Sequence, residues 1–541
     1  MKLLRLSIEG IILLYAAAFF LVTLGIHLAY FPIGDIGVES DFYGELVVSA
    51  KALVAHHFSV ENYPYKGPFY SFALVFVRLF CRDWYLSGVI LNGLCAAASL
   101  IILFRLLSRM FDRTVALLTT LAVSLGVEYF TLAHKASSDM LFAFLCLCAI
   151  SFLFREGYSR RNIILGGILS ACAFLTRYTG ACLPVTMVAM LVVNPGRWTR
   201  RCRSEAALIY FGVFLAACAP WFIMSYRETG NLLATRNIES IVREFYGGDG
   251  TEGAPEGGFT SMAQVFTHDP MHFIGHYLLN IPSHFWLDMR GFLGIDAGIL
   301  VMIGMLRLIV RPPTRMQWAF YIFAISYFLL LCTVFYLSRF SILLSPAYFA
   351  VLFSMLLGLG EKRRSAPARR EQAPRAGAEA ARIFGIIPRT FLGAAATAVL
   401  AVLLLTRITG IVEAEKSYYK LRPLPVIDAA RFLKEYVAGE NRPGQATIMA
   451  RKAHIAYYAD LAYARYPRQF SVPYGLLRYA RNRKIDFLVY GNIERYYFRH
   501  REVPEGWKAL ASADGVKTVY STPSITIYEI SHGNPSAPGR R

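Results

Sequence analysis

Apolar residues along this chain fall in long blocks rather than in alternation. Blocks of roughly 17–25 residues are what an α-helix needs to cross about 30 Å of hydrocarbon. Runs of this kind, some of them shorter, cover 11–31, 84–104, 115–130, 140–154, 163–175, 182–193, 206–225, 291–306, 318–336, 341–359 and 391–405. Backbone polar groups in lipid must be satisfied within the segment, so the pattern predicts a multi-span α-helical membrane protein of about eleven spans. The run 67–80 is shorter and opens on Gly67-Pro68, which predicts an interfacial helix. Two long polar stretches, 32–83 and 226–290, break the series and read as external loops. The segment 361–388 is basic and rich in Ala and Pro, and reads as a cytoplasmic linker without a packed core.

After residue 410 the period changes. Residues 426–438 carry helical spacing, whereas 446–450, 485–491, 518–521 and 525–530 are apolar runs of strand length. Strands interleaved with helices predict a small α/β domain over 411–541, after a transmembrane domain over 1–410. It has neither a Gly-rich phosphate loop nor a hydrolase elbow, so it reads as a cap or substrate-guiding lid.

Charge orients this arrangement. Arginines cluster at 105–113, 155–161, 197–203 and 307–315, which fall on one side once the spans alternate, while the opposite turns carry few cations. The positive-inside rule makes that side cytoplasmic, with Lys2 and Arg5 placing the N-terminus there and the C-terminal domain outside. No small-residue cleavage site follows the first run, which therefore reads as a retained span. The net charge of +20 has the same explanation and does not call for nucleic acid as a partner. Most of the nine cysteines sit inside apolar runs with no metal-type spacing, so neither a disulfide framework nor a cysteine metal site is expected.

Candidate chemistry gathers at the outer ends of the spans. Asp41 follows the first run, with Glu39 and Tyr43 around it; a carboxylate at a low-dielectric surface can serve as a general base, or simply be a solvated loop acid. Lys66, between Tyr65 and Gly67-Pro68 with Tyr70 nearby, could hold a phosphate or snorkel to the interface. Asp139 opens a span and could cap it, or share a cation or a divalent metal with Asp41. Arg177, followed by Tyr178, ends a span and needs an anionic partner such as a lipid phosphate or Asp139. Arg339 sits in a tight outer hairpin. His268, His272 and His276 repeat every four residues, but Pro270 interrupts the run, which favours an interfacial helix over a metal site.

Four of these elements together resemble the GT-C superfamily of polyprenyl-phosphate-dependent glycosyltransferases, nearest to bacterial protein O-mannosyltransferases and lipid A aminoarabinose transferases. They are Ser40-Asp41-Phe42-Tyr43 after the first span, Tyr65 to Tyr70, Ser137-Ser138-Asp139, and Leu175-Thr176-Arg177-Tyr178. The chain departs from the family in two places: Asp41 is followed by Phe42 where a second acid is usual, and Lys66 by Gly67-Pro68 where two prolines are usual.

The resemblance implies inverting transfer of a sugar from a polyprenyl-phosphate donor to an acceptor hydroxyl of a lipid, glycan or protein. The reaction would take place outside a bacterial inner membrane. Asp41 would be the catalytic base, and Lys66, Arg177 and Arg339 would bind the donor phosphate. Asp139 and Glu39 would be supporting acids or metal ligands, and Tyr43, Tyr65, Tyr70 and Tyr178 cavity aromatics. No cofactor is required outright, and a divalent metal is the one the superfamily admits. A transporter or flippase would place ionisable residues mid-span, where this chain has almost none. A polymerase or ligase of lipid-linked glycans would rely on arginines in large outer loops and stays open through 226–290.

Overall fold

The computed structural model describes residues 7–155, 157–194, 198–247, 259, 261–358, 389–440, 446–466, 473–498, 507 and 510–532, with backbone alone at 389–400, 473–474 and 496–498. The expected linker 361–388 and most of the Gly-rich stretch after Tyr246 lie outside the described residues.

Helices occupy every predicted run. α1 spans Ile8–Tyr30; α2 (Val47–Val54) and α3 (Phe69–Arg78) follow in the first polar stretch, and α4 covers Trp84–Met110. The run expected as one span over 115–130 is instead a bent pair, α5 (Arg113–Ser124) and α6 (Val127–Ala133), meeting at 66°. The cause is local: Gly126 stands extended between them and ends the first helix. Next come α7 (Asp139–Leu153), α8 (Arg160–Thr176), α9 (Cys182–Val193) and α10 (Arg200–Thr229). The second polar stretch holds α11 (Asn237–Tyr246), α12 (Met262–His268) and α13 (Pro270–Leu287). The series closes with α14 (Ile295–Val310), α15 (Arg315–Leu331), α16 (Ser345–Gly358) and α17 (Arg389–Lys420). By length and composition three described helices, α1, α4 and α10, are able to cross a membrane alone, or four spans counting the bent pair; α7, α15 and α16 are apolar but shorter.

The starts of the basic-side helices share one device. Asp112, Ser159, Thr199 and Thr314 each accept a hydrogen bond from a backbone N–H of the first turn, and each is followed by an arginine. The cap satisfies an orphan donor at the start of each helix. Within the bundle, small residues set the spacing: a Cβ at Gly167 of α8 would stand 3.2 Å from the Tyr210 carbonyl of α10.

The described chain divides into two compact units, and the division differs from a simple cut at residue 410. The first comprises Met1–His27 and Ala52–Lys416; the second comprises Ser417–Arg541 together with Leu28–Lys51. The loop after α1, with Asp41 on it, is thus part of the C-terminal domain. Ile33 is why: it is fully buried in that domain's apolar core, among Val426, Leu433, Ile448 and Phe487.

In the second unit α18 (Pro425–Gly439) precedes β1 (Thr447–Ala450), and α19 (His454–Ala459) leads to β2 (Ala462–Arg465). α20 (Pro473–Asn482), β3 (Phe487–Gly491), α21 (Asn492–Phe498), β4 (Val516–Ser521) and β5 (Ile525–Ile530) complete it. The sheet order is β2-β1-β3-β5-β4, with β1 parallel to β2 and β3, and β5 antiparallel to β3 and β4. Alternate residues face opposite layers. Ile448, Phe487, Val489 and Ile527 pack against α18, whereas Met449, Leu488 and Tyr528 pack with Leu477 and Trp507 on the other side. β2 escaped the sequence reading because its Ala-Tyr-Ala-Arg is an edge strand with no fully buried residue.

Candidate active site

In the first unit three of the singled-out segments converge. α8 ends at Thr176, and Arg177 leaves it in extended conformation. Its guanidinium Nη1 donates to Asp139 Oδ1 at 2.5 Å. Asp139 is the first residue of α7, and its other oxygen lies 3.9 Å from Arg339 Nη1. The Asp139 side chain is 5% exposed, and those of Arg177 and Arg339 are 14% and 17% exposed. The two guanidiniums flank one ring, their carbons 5.0 and 5.3 Å from the Phe340 centroid. One buried carboxylate thus holds two partly buried guanidiniums in a poorly solvated place. Such a place attracts an anion strongly, and bidentate oxyanions best.

Lys66 is brought to the same segment by its neighbour. Gly67 packs on the backbone of Leu175, so that a Cβ there would lie 2.3 Å from the Leu175 carbonyl oxygen. A proline, usual at this position in the resembled family, carries a Cβ and would not fit this approach. The loop is fixed from the other side by Arg236 N, which donates to Pro64 O (2.7 Å), and by Asn237 Nδ2, which donates to Tyr65 O (2.7 Å). Tyr178 OH accepts from Trp221 Nε1 at 3.2 Å, and Tyr70 is fully buried.

The hairpin carrying Arg339 rests on residues that sequence reasoning passed over. Asp288 accepts from Ser341 Oγ (2.5 Å), Tyr348 OH (2.8 Å) and Tyr336 OH (2.9 Å), while Ser338 Oγ donates to Glu128. The available signal was an acid closing an aromatic run, with Ser-Arg-Phe-Ser downstream. The segment 134–138 before Asp139 is buried throughout. Asn92 Nδ2 donates to Lys135 O (2.6 Å) and Ser137 Oγ (3.0 Å), and His134 Nε2 lies 3.0 Å from Glu415 Oε1.

Asp41 is in the second unit, half-buried, where the chain turns into a π-helical turn at Phe42–Leu46. Tyr43 is buried: its OH accepts from Gly34 N (3.0 Å), lies 3.1 Å from Tyr458 OH, and its ring is 4.3 Å from that of His454. Glu39 Oε2 accepts from Asp35 N at 2.9 Å, so this acid organises the loop. Lys452, just after β1, donates from Nζ to Ser40 Oγ at 2.9 Å. Burial, and then Arg451, pull its ammonium down to about 8, against the pull of Asp41 and Asp35.

The residues present do not fit a divalent metal. Asp139 is taken by two guanidiniums and Glu39 by a backbone amide, and among the described residues no group of three or more His, Cys, Asp or Glu is arranged to hold an ion. The histidine row is likewise dispersed: Asp269 caps a new helix, His272 Nε2 meets Phe245 O at 2.7 Å, and His276 lies 3.7 Å from Glu244.

The family model described as dolichyl-phosphate-mannose-protein mannosyltransferase matches residues 66–224, which hold Lys66, Asp139 and Arg177. The fold is shared with ArnT from Cupriavidus metallidurans, solved bound to undecaprenyl phosphate, at 14% identity, TM-score 0.57, covering 98% of this chain and 100% of that one. It is also shared with the archaeal oligosaccharyltransferase AglB from Archaeoglobus fulgidus, solved with an inhibitory peptide and a dolichol-phosphate, at 12% identity and TM-score 0.58, covering 98% of this chain and 75% of that one. Among curated proteins none matches the chain significantly.

Proposed function

We propose that the protein transfers a sugar from a polyprenyl-phosphate donor to an acceptor hydroxyl, with inversion at the anomeric carbon. The observation that carries this reading is the pair Arg177 and Arg339 on the single carboxylate of Asp139. Two guanidiniums oriented on one side of an acid are what a departing lipid phosphate needs. Negative charge grows on the phosphate as the glycosidic C–O bond breaks, and pre-oriented guanidiniums stabilise it without reorganisation. Asp139 orients them, and Lys66 adds a third cation from the loop clamped by Gly67. Asp41 takes the proton of the attacking hydroxyl. Its motif and its half-buried place beside Lys452 support that role. The likeness to ArnT and AglB, solved with undecaprenyl phosphate and dolichol-phosphate, supports a polyprenyl carrier.

In this reading the eleven runs are spans of a bacterial inner membrane, with the N-terminus cytoplasmic and the chemistry outside; the one-sided arginine clusters support that orientation. The test is transfer from a panel of polyprenyl-phosphate sugars by protein in reconstituted membranes, wild type against Asp41→Asn. Loss by about 10²-fold or more with donor binding retained is expected for a general base. Unchanged transfer would remove Asp41 from the mechanism, and lipid movement across the bilayer without any transfer would replace the transferase by a flippase.

A further inference from the structure

In the first unit the ends of three helices enclose a cleft of about 600 Å³. α1 contributes Ile8 and Glu9 at its start, α4 contributes Arg105 and Arg109 in its last turns, and α5 contributes Arg113, its first residue. α1 and α4 are each long and apolar enough to cross a membrane, so the place where one begins and the other ends lies at a bilayer face. The one-sided charge bias accounts for arginines on this side of the chain. It does not account for three of them lining one cleft with a single acid.

Little inside the protein answers these charges. Arg109 Nη1 donates to the Ser151 carbonyl at 3.3 Å, and among the described residues none of the three guanidiniums has an ion-pair partner. Arg155, just past α7, is a further like charge acting on Arg109. Among the described residues lining the cleft Glu9 is the one acid, so three arginines stand against one carboxylate and two positive charges are left over. Asp112, beside Arg113 but outside the lining, accepts the Thr114 N–H at 2.7 Å as the cap of α5. The two hydroxyls of the lining are turned to the backbone: Ser7 Oγ accepts from Gly10 N (3.2 Å) and Ser108 Oγ donates to Phe104 O (2.7 Å). Arginines of other basic clusters are spent within the protein: Arg160 is ion-paired with Glu205, and Arg307 donates to the carbonyls of Ser354 and Met355.

We propose that this cleft holds the headgroup of an anionic membrane lipid that carries two phosphodiesters, as diphosphatidylglycerol does. Charge sets the number of phosphates: two singly charged phosphodiesters match the surplus of two. Spacing agrees. Arg105 and Arg109 stand about 6 Å apart along the axis of α4. Arg113 lies beyond the break at Phe111, so two phosphates serve the set better than one. Each guanidinium can face a phosphate with paired N–H donors, and basic pockets between membrane helices take such headgroups. A track for the acyl chains adjoins the cleft. Ile8 lines it, and Ile11 and Leu14 continue from it along α1, the three being 41%, 49% and 59% exposed. Chains leaving the headgroup therefore run along apolar surface that the protein leaves bare. The site stands apart from Asp139 and its arginines, and its assignment does not rest on the transferase reading.

The experiment is native mass spectrometry of the full-length protein released from neutral detergent micelles, with diphosphatidylglycerol, phosphatidylglycerol or pyrophosphate added. Wild type is expected to retain one diphosphatidylglycerol at concentrations about tenfold or more below those needed for phosphatidylglycerol. Arg105→Gln combined with Arg113→Gln should raise the concentration needed about tenfold or more. Both side chains are exposed, so the melting temperature without lipid should not move. Glu9→Gln, which removes the acid, should lower that concentration about threefold, a gain that a damaged fold cannot produce. Arg161→Gln combined with Arg201→Gln, exposed arginines of two other basic clusters, is the control and should stay within about twofold of wild type. An equal loss in the control pair would reduce the effect to general attraction by the basic side and overturn the site. Equal retention by wild type and the Arg105 and Arg113 variant would overturn it too. Phosphatidylglycerol held as tightly as diphosphatidylglycerol would overturn the two-phosphate assignment, and displacement of the lipid by an equal concentration of pyrophosphate would overturn the lipid in favour of a free phosphate. Sugar transfer enters none of these readouts, so the cleft and the transferase reading stand or fall separately.

Discussion

The two units each present cations, in different states. Around Asp139 two cations share one carboxylate: it is 5% exposed, with one guanidinium hydrogen-bonded to it at 2.5 Å and a second 3.9 Å away. Around Lys452 burial and then Arg451 act against Asp41 and Asp35, and together bring the ammonium to about 8. The first arrangement is rigid and suits a charge that always appears at the same atom. The second changes protonation near neutral pH, so its charge depends on the medium. Similar residues thus do different work according to how their charge is compensated.

The comparison breaks most readily at Asp139. Asp139→Asn leaves two partly buried arginines without their shared anion. Breaking a buried pair costs about 3–5 kcal/mol, so a large fall in the melting temperature in detergent is expected, with transfer lost. A melt within a degree or two of wild type would mean that the cluster is not held by that charge. Next in size is Gly67→Ala. The added Cβ meets a carbonyl 2.3 Å away and the Leu175–Arg177 segment must shift. A cost of about 1–3 kcal/mol and a rise in KM for donor are expected, measured by melting and by initial rates.

The charge state of Lys452 gives a prediction of definite sign. Its folded value of about 8 lies below the ordinary lysine value, so the unfolded chain holds the proton to higher pH. Stability from this group therefore rises with pH from about 8 upward. Urea melts between about pH 7 and 10, with Lys452→Gln as the control, measure it. The groups facing this lysine are Arg451, Arg465, Asp41 and Asp35, and a curve equally steep in Lys452→Gln would take the effect away from the lysine. The smallest effect is expected at His276→Gln. Its contact with Glu244 is 3.7 Å long and partly exposed, and transfer and melting should stay within error.

Much of the bundle was legible because lipid imposes one pattern, and every predicted run carries a helix. The break between Ser124 and Val127 was not, since Gly126 inside an apolar run reads as a tolerated residue. Of the site, Asp139, Arg177 and Arg339 were visible as costly charges at span ends, although their meeting on one carboxylate is tertiary. Asp288 and Glu128 were missed because their partners are hydroxyls far along the chain, a kind of pairing with no sequence period. The grouping of Leu28–Lys51 with the C-terminal domain could not be read either, because nothing local in Ile33 says which core it fills.

The most direct test of the central claim is binding of undecaprenyl phosphate to the purified, full-length protein, wild type against Arg177→Met and Arg339→Met. Loss of a charge-assisted pair to a phosphate is worth about 2–4 kcal/mol, so each variant should bind about 30-fold or more weakly, and the loss should shrink when the phosphate is replaced by a neutral polyprenol. Equal affinity of wild type and both variants for undecaprenyl phosphate would contradict the account.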